Sequence, residues 1–232
     1  MISSYLFSNL DFSGLFRFVS PNFFRVISPV SLFKIAPVLK RNYSDCHSWE
    51  ELWKERSKKV RKAGFSSNDD RGQHTLRLFF FQILTEETWI LDFRAEAFAT
   101  DDKTGWNPKP LYYQVPTSFV KQTRELYRGF YTGDEKLFDS ALSELGLLKA
   151  KDCLRNHFGQ GDQTSVHFKL STFQNTFAEV FEVCEREGLK LQTEFFVLGL
   201  MLLTLYQNLE TLDAPQNARA CFLDALEKAN AK

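Results

Sequence analysis

The sequence lacks a long apolar segment, a C-x-x-C pair and an excess of either charge. Its most apolar run, residues 195–203, extends only to Tyr206, whereas a membrane span needs about 20 predominantly apolar residues. We therefore expect a buried core helix there and no transmembrane segment. The 29 basic and 29 acidic side chains cancel among 232 residues. Because that balance creates no overall field, the composition predicts no nucleic-acid partner.

Motifs that carry chemistry are also missing. The cysteines are far apart and do not form the framework of a small secreted domain, so we expect reduced thiols. No Cys/His spacing matches a zinc site, and no G-x-S-x-G nucleophile elbow occurs. The Gly159–Gly161 loop lacks the Lys-Ser/Thr ending of a P-loop. The motifs therefore identify no catalytic residue, no metal ligand and no cofactor.

The first 43 residues differ from the rest in charge. Before Ser44 the single acidic residue is Asp11, and serine and phenylalanine are abundant; the basic residues are Arg17, Arg25, Lys34, Lys40 and Arg41. A basic, Ser-rich, acid-poor segment is typical of an organellar transit peptide, and Arg41–Ser44 resembles a mitochondrial processing site. We interpret 1–43 as a transit peptide to the mitochondrial matrix. Plastid import, or an N-terminal arm of the domain, is the alternative.

Residues 44–232 have the pattern of one mainly helical domain. We expect about six helices around an aromatic-rich core, joined by short connections. Gly133 and Gly188 are predicted helix ends, and Asp134 is a predicted helix cap. Ser48 and Glu51 have the spacing of a capping box at the first helix.

A small β-hairpin is predicted near the start of this domain. Two apolar runs, 76–84 and 89–93, flank the polar segment 85–88. Aromatic and β-branched runs around a short turn favour a hairpin. A helix through the first run is the alternative, because a continuous apolar run does not define a period.

The first predicted helix carries a basic face. Its members are Lys54, Lys58, Arg61 and Lys62, with Lys59 at the margin. Such a face can contact phosphates or anionic lipid. Because Glu50, Glu51 and Glu55 dilute it, we interpret it as a solvated face.

Part of the chain, residues 77–147, resembles the C-lobe of UbiB/AarF-type atypical kinases. The segment W-I-L-D-F-R-A from Trp89 resembles the strand and metal-binding D-F-G-A stretch of that family, with Gly133-Asp134 and the Leu-Gly-Leu at 145–147 following in the family's order. The resemblance places the predicted hairpin before the metal-binding turn. It implies that Asp92 corresponds to a residue of the nucleotide site, and Arg94 beside it has a charge that can bind a phosphate. Asp92 and Arg94 are therefore the candidate cofactor-binding residues.

Two departures make this resemblance degenerate. Arg94 stands where the family's metal loop has Gly, and residues 76–79 (Leu-Arg-Leu-Phe) replace its catalytic Asp and metal-binding Asn. Phosphoryl transfer needs metal ions and positioned phosphates together. We therefore expect a non-catalytic relative that transfers no phosphate.

The predicted function is that of a mitochondrial accessory, assembly or complex-subunit protein that acts by binding a protein partner. Two alternatives stay open. One is a degenerate UbiB-type protein that handles a nucleotide or lipid. The other is a carrier whose phenylalanine-lined cavity holds a small hydrophobic ligand.

Overall fold

The computed structural model describes residues 46–64, 70–95, 111–155, 157 and 165–231. The predicted transit peptide and the Gly159–Gly161 loop lie outside these residues. In the described part, α1 is Cys46–Lys62, α2 is Arg71–Thr85, α3 is Thr117–Thr132, α4 is Glu135–Glu144 and α5 is Lys151–Arg155, preceded by a 3₁₀ turn at Leu148–Ala150. The last helices are α6, Leu170–Glu187; α7, Thr193–Glu210; and α8, Ala218–Asn230. The prediction of a mainly α fold is confirmed.

The β-structure differs from the predicted hairpin. Strand β1, Thr88–Ile90, pairs antiparallel with β2, Tyr112–Gln114, with Trp89 opposite Tyr113. Thus the second predicted run supplies a strand, but the prediction that 76–84 is its partner was wrong. That run lies in α2, where Asp70 accepts a hydrogen bond from the Gly72 N–H. Its apolar side chains are buried on several sides of the helix. The sequence of the run therefore shows neither the helical nor the strand spacing of apolar residues.

The predicted helix ends are largely correct. Gly133 has φ 75° and Gly188 has φ 64°, the left-handed conformation in which a glycine ends a helix without strain. The Asp134 side chain caps α4 by accepting from the Leu137 N–H. The capping box was misplaced, because α1 begins at Cys46, two residues before Ser48.

The core is built from aromatic rings on several helices. Phe80 of α2 makes edge contacts with Tyr127 and Tyr131 of α3 and with Phe222 of α8. Helix α3 lies very close to α4, since a Cβ at Gly129 would be 2.5 Å from the backbone nitrogen of Phe138. The apolar run at 195–206 forms most of α7 and is largely buried, which confirms the predicted core helix.

Candidate functional site

Asp92, a residue that the kinase resemblance assigns to a cofactor, lies in the extended chain after β1. Its neighbours are fixed by Thr204 of α7, whose hydroxyl accepts from the Phe93 N–H at 3.1 Å and donates to the Leu91 carbonyl at 2.8 Å. The Leu91 N–H donates to the Leu111 carbonyl at 2.9 Å. These bonds on both sides of Asp92 hold its side chain inside the protein, where it is 1% exposed.

Arg94 closes over the Asp92 carboxylate. Its Nε lies 2.9 Å from Oδ1 and its Nη2 lies 2.8 Å from Oδ2, and its backbone N–H donates to Oδ1 at 3.1 Å. This is a bidentate, charge-assisted pair. Both carboxylate oxygens therefore face the guanidinium, which occupies the place where a metal would approach Asp92.

The structure thus brings together the predicted residues Asp92 and Arg94, but as partners of each other. The Nε–Nη2 edge of Arg94, which could otherwise receive a phosphate bidentately, is turned to the carboxylate. Within the described residues, no group of three or more His, Cys, Asp and Glu side chains is placed to hold a metal ion. The chemistry available to this pair is that of an internal ion pair.

A second polar cluster, which the sequence analysis missed, lies on the inner face of α1. Arg56 is 2% exposed. Its Nη1 donates to Gln82 Oε1 at 2.7 Å, and its Nη2 donates to the Thr88 carbonyl at 2.6 Å and lies 3.5 Å from Glu86 Oε2. Burial lowers the pKa of Arg56, while the Glu86 carboxylate acts in the opposite direction.

Gln82 completes this cluster by binding the edge of β1. Its Oε1 accepts from the Ile90 N–H at 2.8 Å, and its Nε2 donates to the Ile90 carbonyl at 2.9 Å and lies 3.2 Å from the sulfur of Met201. The amide side chain therefore takes the place of a neighbouring strand. Gln82 is the one polar residue in the apolar stretch 78–84, and this was the signal that could have identified it.

The outer face of α1 carries cations in a different setting. Lys54, Lys58, Arg61 and Lys62, here called the basic stripe, are all exposed. In the part of the chain that the structure describes, none of them forms an ion pair. Lys59, beside the stripe, does: its Nζ lies 3.5 Å from Glu55 and 3.2 Å from Glu86. The basic stripe is therefore an available cationic surface.

An aromatic stack lies at the other end of the same helix. Trp49 stacks on Trp53, with ring centres 6.3 Å apart and planes at 5°, and on Tyr112 of β2, with centres 5.9 Å apart and planes at 21°. All three side chains are half-buried. The stack joins α1 to the two-stranded sheet and leaves part of each ring at the surface.

A partly buried histidine, whose two ring nitrogens are shielded from water, lies among the aromatic rings near α6 and α7. His157 stacks on Tyr206 with ring centres 5.7 Å apart, and its carbonyl accepts a hydrogen bond from the Tyr206 hydroxyl. The ring of Phe173 lies 6.2 Å away. Burial lowers the pKa of His157 from 6.5 to about 3, so the imidazole is neutral near pH 7.

A surface cavity of about 270 Å³ lies between α7 and the segment that precedes α6. His167, Lys169, Glu210 and Asp213 line it together with Phe168 and Leu209. The Glu210 carboxylate accepts the Leu170 N–H at 3.2 Å. A ligand pocket for an apolar molecule has mainly hydrophobic walls, so this charged cavity does not suit the hydrophobic carrier considered above.

Comparisons with family models, with curated proteins and with solved structures give no match to this chain. The similarity to UbiB/AarF-type kinases therefore stays a prediction from the sequence. Among the helices described here, none is long and apolar enough to cross a membrane.

Proposed function

We propose that this chain is a non-catalytic accessory or assembly protein of the mitochondrial matrix that acts by binding a protein partner. The observation that carries the proposal is the basic stripe of α1, in which Lys54, Lys58, Arg61 and Lys62 are exposed without an ion pair among the described residues. Exposed cations outside any internal network are free to pair across an interface. The acid-poor segment 1–43 supports import.

The Asp92–Arg94 pair supports a function without phosphoryl transfer. An acid that holds magnesium presents its oxygens to the metal and the phosphates. Here the Arg94 guanidinium faces both Asp92 oxygens. A purified 44–232 fragment should therefore show no magnesium-dependent ATP hydrolysis. Hydrolysis that disappears in Asp92→Ala would contradict the proposal.

The direct test is native sizing of the tagged chain from purified organelles. We expect it in mitochondria rather than plastids, with its N-terminus at or near Ser44, and in an assembly larger than the 27.0 kDa of the full chain. In a matched variant, Lys54, Lys58, Arg61 and Lys62 are all replaced by Gln. Migration of the wild-type protein as a monomer in fresh lysate would contradict a function through binding.

A further inference from the structure

The cations of the basic stripe follow one another at a spacing of one helical turn. Lys54, Lys58 and Lys62 are separated by four residues each, which corresponds to about 6 Å along the helix axis. Like charges at this spacing repel one another and weaken a helix. The sequence of α1 therefore holds an electrostatic repulsion that a negatively charged partner would relieve.

The helix dipole explains only part of this arrangement. Cations in the last turn of a helix are favoured by the partial negative charge there, and Lys59, Arg61 and Lys62 occupy that turn. Lys54 and Lys58 lie further from the C-terminus, where this effect has largely disappeared. Glu50 and Glu51 lie four and three residues before Lys54 and offset its charge, so Lys58, with three cations and one acid within a turn, is the residue that needs another reason.

Acidic residues on the same face indicate which class of partner fits. Glu50 and Glu51 are exposed in the first half of α1 and Glu55 lies between Lys54 and Lys58, whereas Lys58, Arg61 and Lys62 occupy the second half. A uniform polyanion, such as a nucleic-acid backbone or an anionic bilayer, would lie against both halves and be repelled by the acids. A protein segment can instead place its charges in the opposite order and match both halves.

The aromatic stack supplies an anchor for such a segment. Trp49, Trp53 and Tyr112 lie at the acidic end of α1 and are half-buried. Tryptophan, tyrosine and arginine are enriched in the energetically important part of protein interfaces, whereas charged pairs at the rim chiefly set orientation. The outer surface of α1 thus offers an aromatic contact at one end and cations at the other.

From these features we infer that the basic stripe docks on an acidic helical segment of a protein partner, whose carboxylates are spaced one turn apart and run antiparallel to α1. This inference rests on the proposed binding function and identifies the chemistry of the partner. Each partner carboxylate then lies opposite one of Lys54, Lys58 and Lys62.

The probe is a synthetic helical peptide of about 20 residues with glutamates four positions apart at one end and lysines at the other. Its binding to the purified full chain is measured by fluorescence anisotropy. In Lys58→Glu/Lys62→Glu we expect affinity to fall about tenfold or more, because like charges then face each other. The matched control is Lys136→Glu/Lys190→Glu, which alters net charge equally at exposed sites on α4 and beyond α6.

The control variant should keep its affinity within about twofold. A peptide with lysine in place of the facing glutamates should restore binding to Lys58→Glu/Lys62→Glu, which a misfolded variant would not permit. Equal losses in both variants would overturn the proposal, because net charge alone would then explain binding. Tighter binding of a single-stranded RNA, or of phosphatidylglycerol vesicles, than of the peptide would also overturn it.

Native sizing separates this inference from the proposed function. If the organellar assembly persists in Lys58→Glu/Lys62→Glu, the chain is still a binding protein and the basic stripe is not its docking surface. If the wild-type chain is a monomer in the lysate, the proposed function itself fails. If the wild-type chain forms the assembly and Lys58→Glu/Lys62→Glu does not, the proposed function and the docking surface are both supported.

Discussion

Arg56 and Lys58 are two residues apart on α1, yet their surroundings are opposite. Arg56 is 2% exposed and contacts Gln82, Glu86 and the Thr88 carbonyl. Lys58 is exposed and has no ion-pair partner among the described residues. A buried cation persists only where the fold supplies a carboxylate or carbonyls, whereas an exposed cation needs none.

This difference separates the structural charges of α1 from those available for binding. The inner cation joins α1 to α2 and β1, so its removal should disturb the fold. Replacement of the outer cations should leave the fold unchanged and should matter for a partner. Two measurements test the distinction on α1, and a third applies it to a neutral ionisable group elsewhere in the fold.

The largest effect is expected for Arg56→Met. Methionine fills part of the space but leaves the Thr88 carbonyl without its donor and Glu86 without its buried partner. Removal of one member of a buried pair costs about 3–5 kcal/mol. Because Glu86 keeps Lys59, we expect the lower end of that range, about 3 kcal/mol, in urea denaturation.

The control is Lys54→Met on the outer face, which should alter stability by less than about 0.5 kcal/mol. The double variant Arg56→Met/Glu86→Gln should lose less than the sum of its single variants, because each removes part of the same interaction. Similar small losses for Arg56→Met and Lys54→Met would mean that the two faces of α1 do not differ.

The sequence predicted those elements whose signals are local. Asp134 and Gly133 act through their own backbone neighbours, and the apolar run in α7 is too long for a strand. The helix over 76–84 was misassigned because all of its residues except Arg77 and Leu84 are buried, which leaves too few polar positions to reveal a helical period. The pairing of β1 with β2 depends on a connection of more than 20 residues, which local patterns do not define.

The candidate site was less accessible to sequence reasoning. Asp92 and Arg94 flank one residue, and side chains two apart in an extended chain point to the same side, so their ion pair was predictable from spacing. The Arg56 cluster was not, because its partners lie 26 to 32 residues away. A basic residue between Trp53 and Val60 on the apolar face of α1 was the one local signal.

A second prediction concerns an ionisable group whose ring nitrogens are buried and neutral. His157 has a pKa lowered by burial to about 3, against 6.5 in the unfolded chain. Above pH 6.5 both states are neutral and the full stability is present. Below it the unfolded chain takes up a proton that the folded chain refuses, so stability falls by about 1.4 kcal/mol per pH unit until the folded pKa is reached.

In urea denaturation, the free energy of unfolding of the wild type should therefore fall by about 2 kcal/mol between pH 7 and pH 5. His157→Phe should not show this fall. Phenylalanine keeps the ring next to Tyr206 and removes the titration. Because the result is a difference between two pH values, a change of packing in the variant cancels. An equal pH dependence in both proteins would show that His157 is protonated freely in the fold.

The smallest effect compares two neighbouring lysines. Lys58 has Lys54 and Lys62 four residues away, Arg61 three residues away and one acid, Glu55, within a turn, so like charges prevail around it. Lys59 instead lies 3.5 Å from Glu55 and 3.2 Å from Glu86. Glutamine has nearly the helix propensity of lysine. At low salt Lys58→Gln should therefore stabilise the protein by a few tenths of a kcal/mol, and Lys59→Gln should destabilise it by up to about 1 kcal/mol.

Both changes in stability should shrink toward zero at about 1 M salt, where exposed charges are screened. Thermal unfolding at low and high salt measures them together. A Lys58→Gln variant that is less stable than the wild type at low salt would mean that Lys58 already has an attractive partner within the chain. The basic stripe would then belong to the structural charges of α1, and the repulsion that favours an acidic partner would be absent.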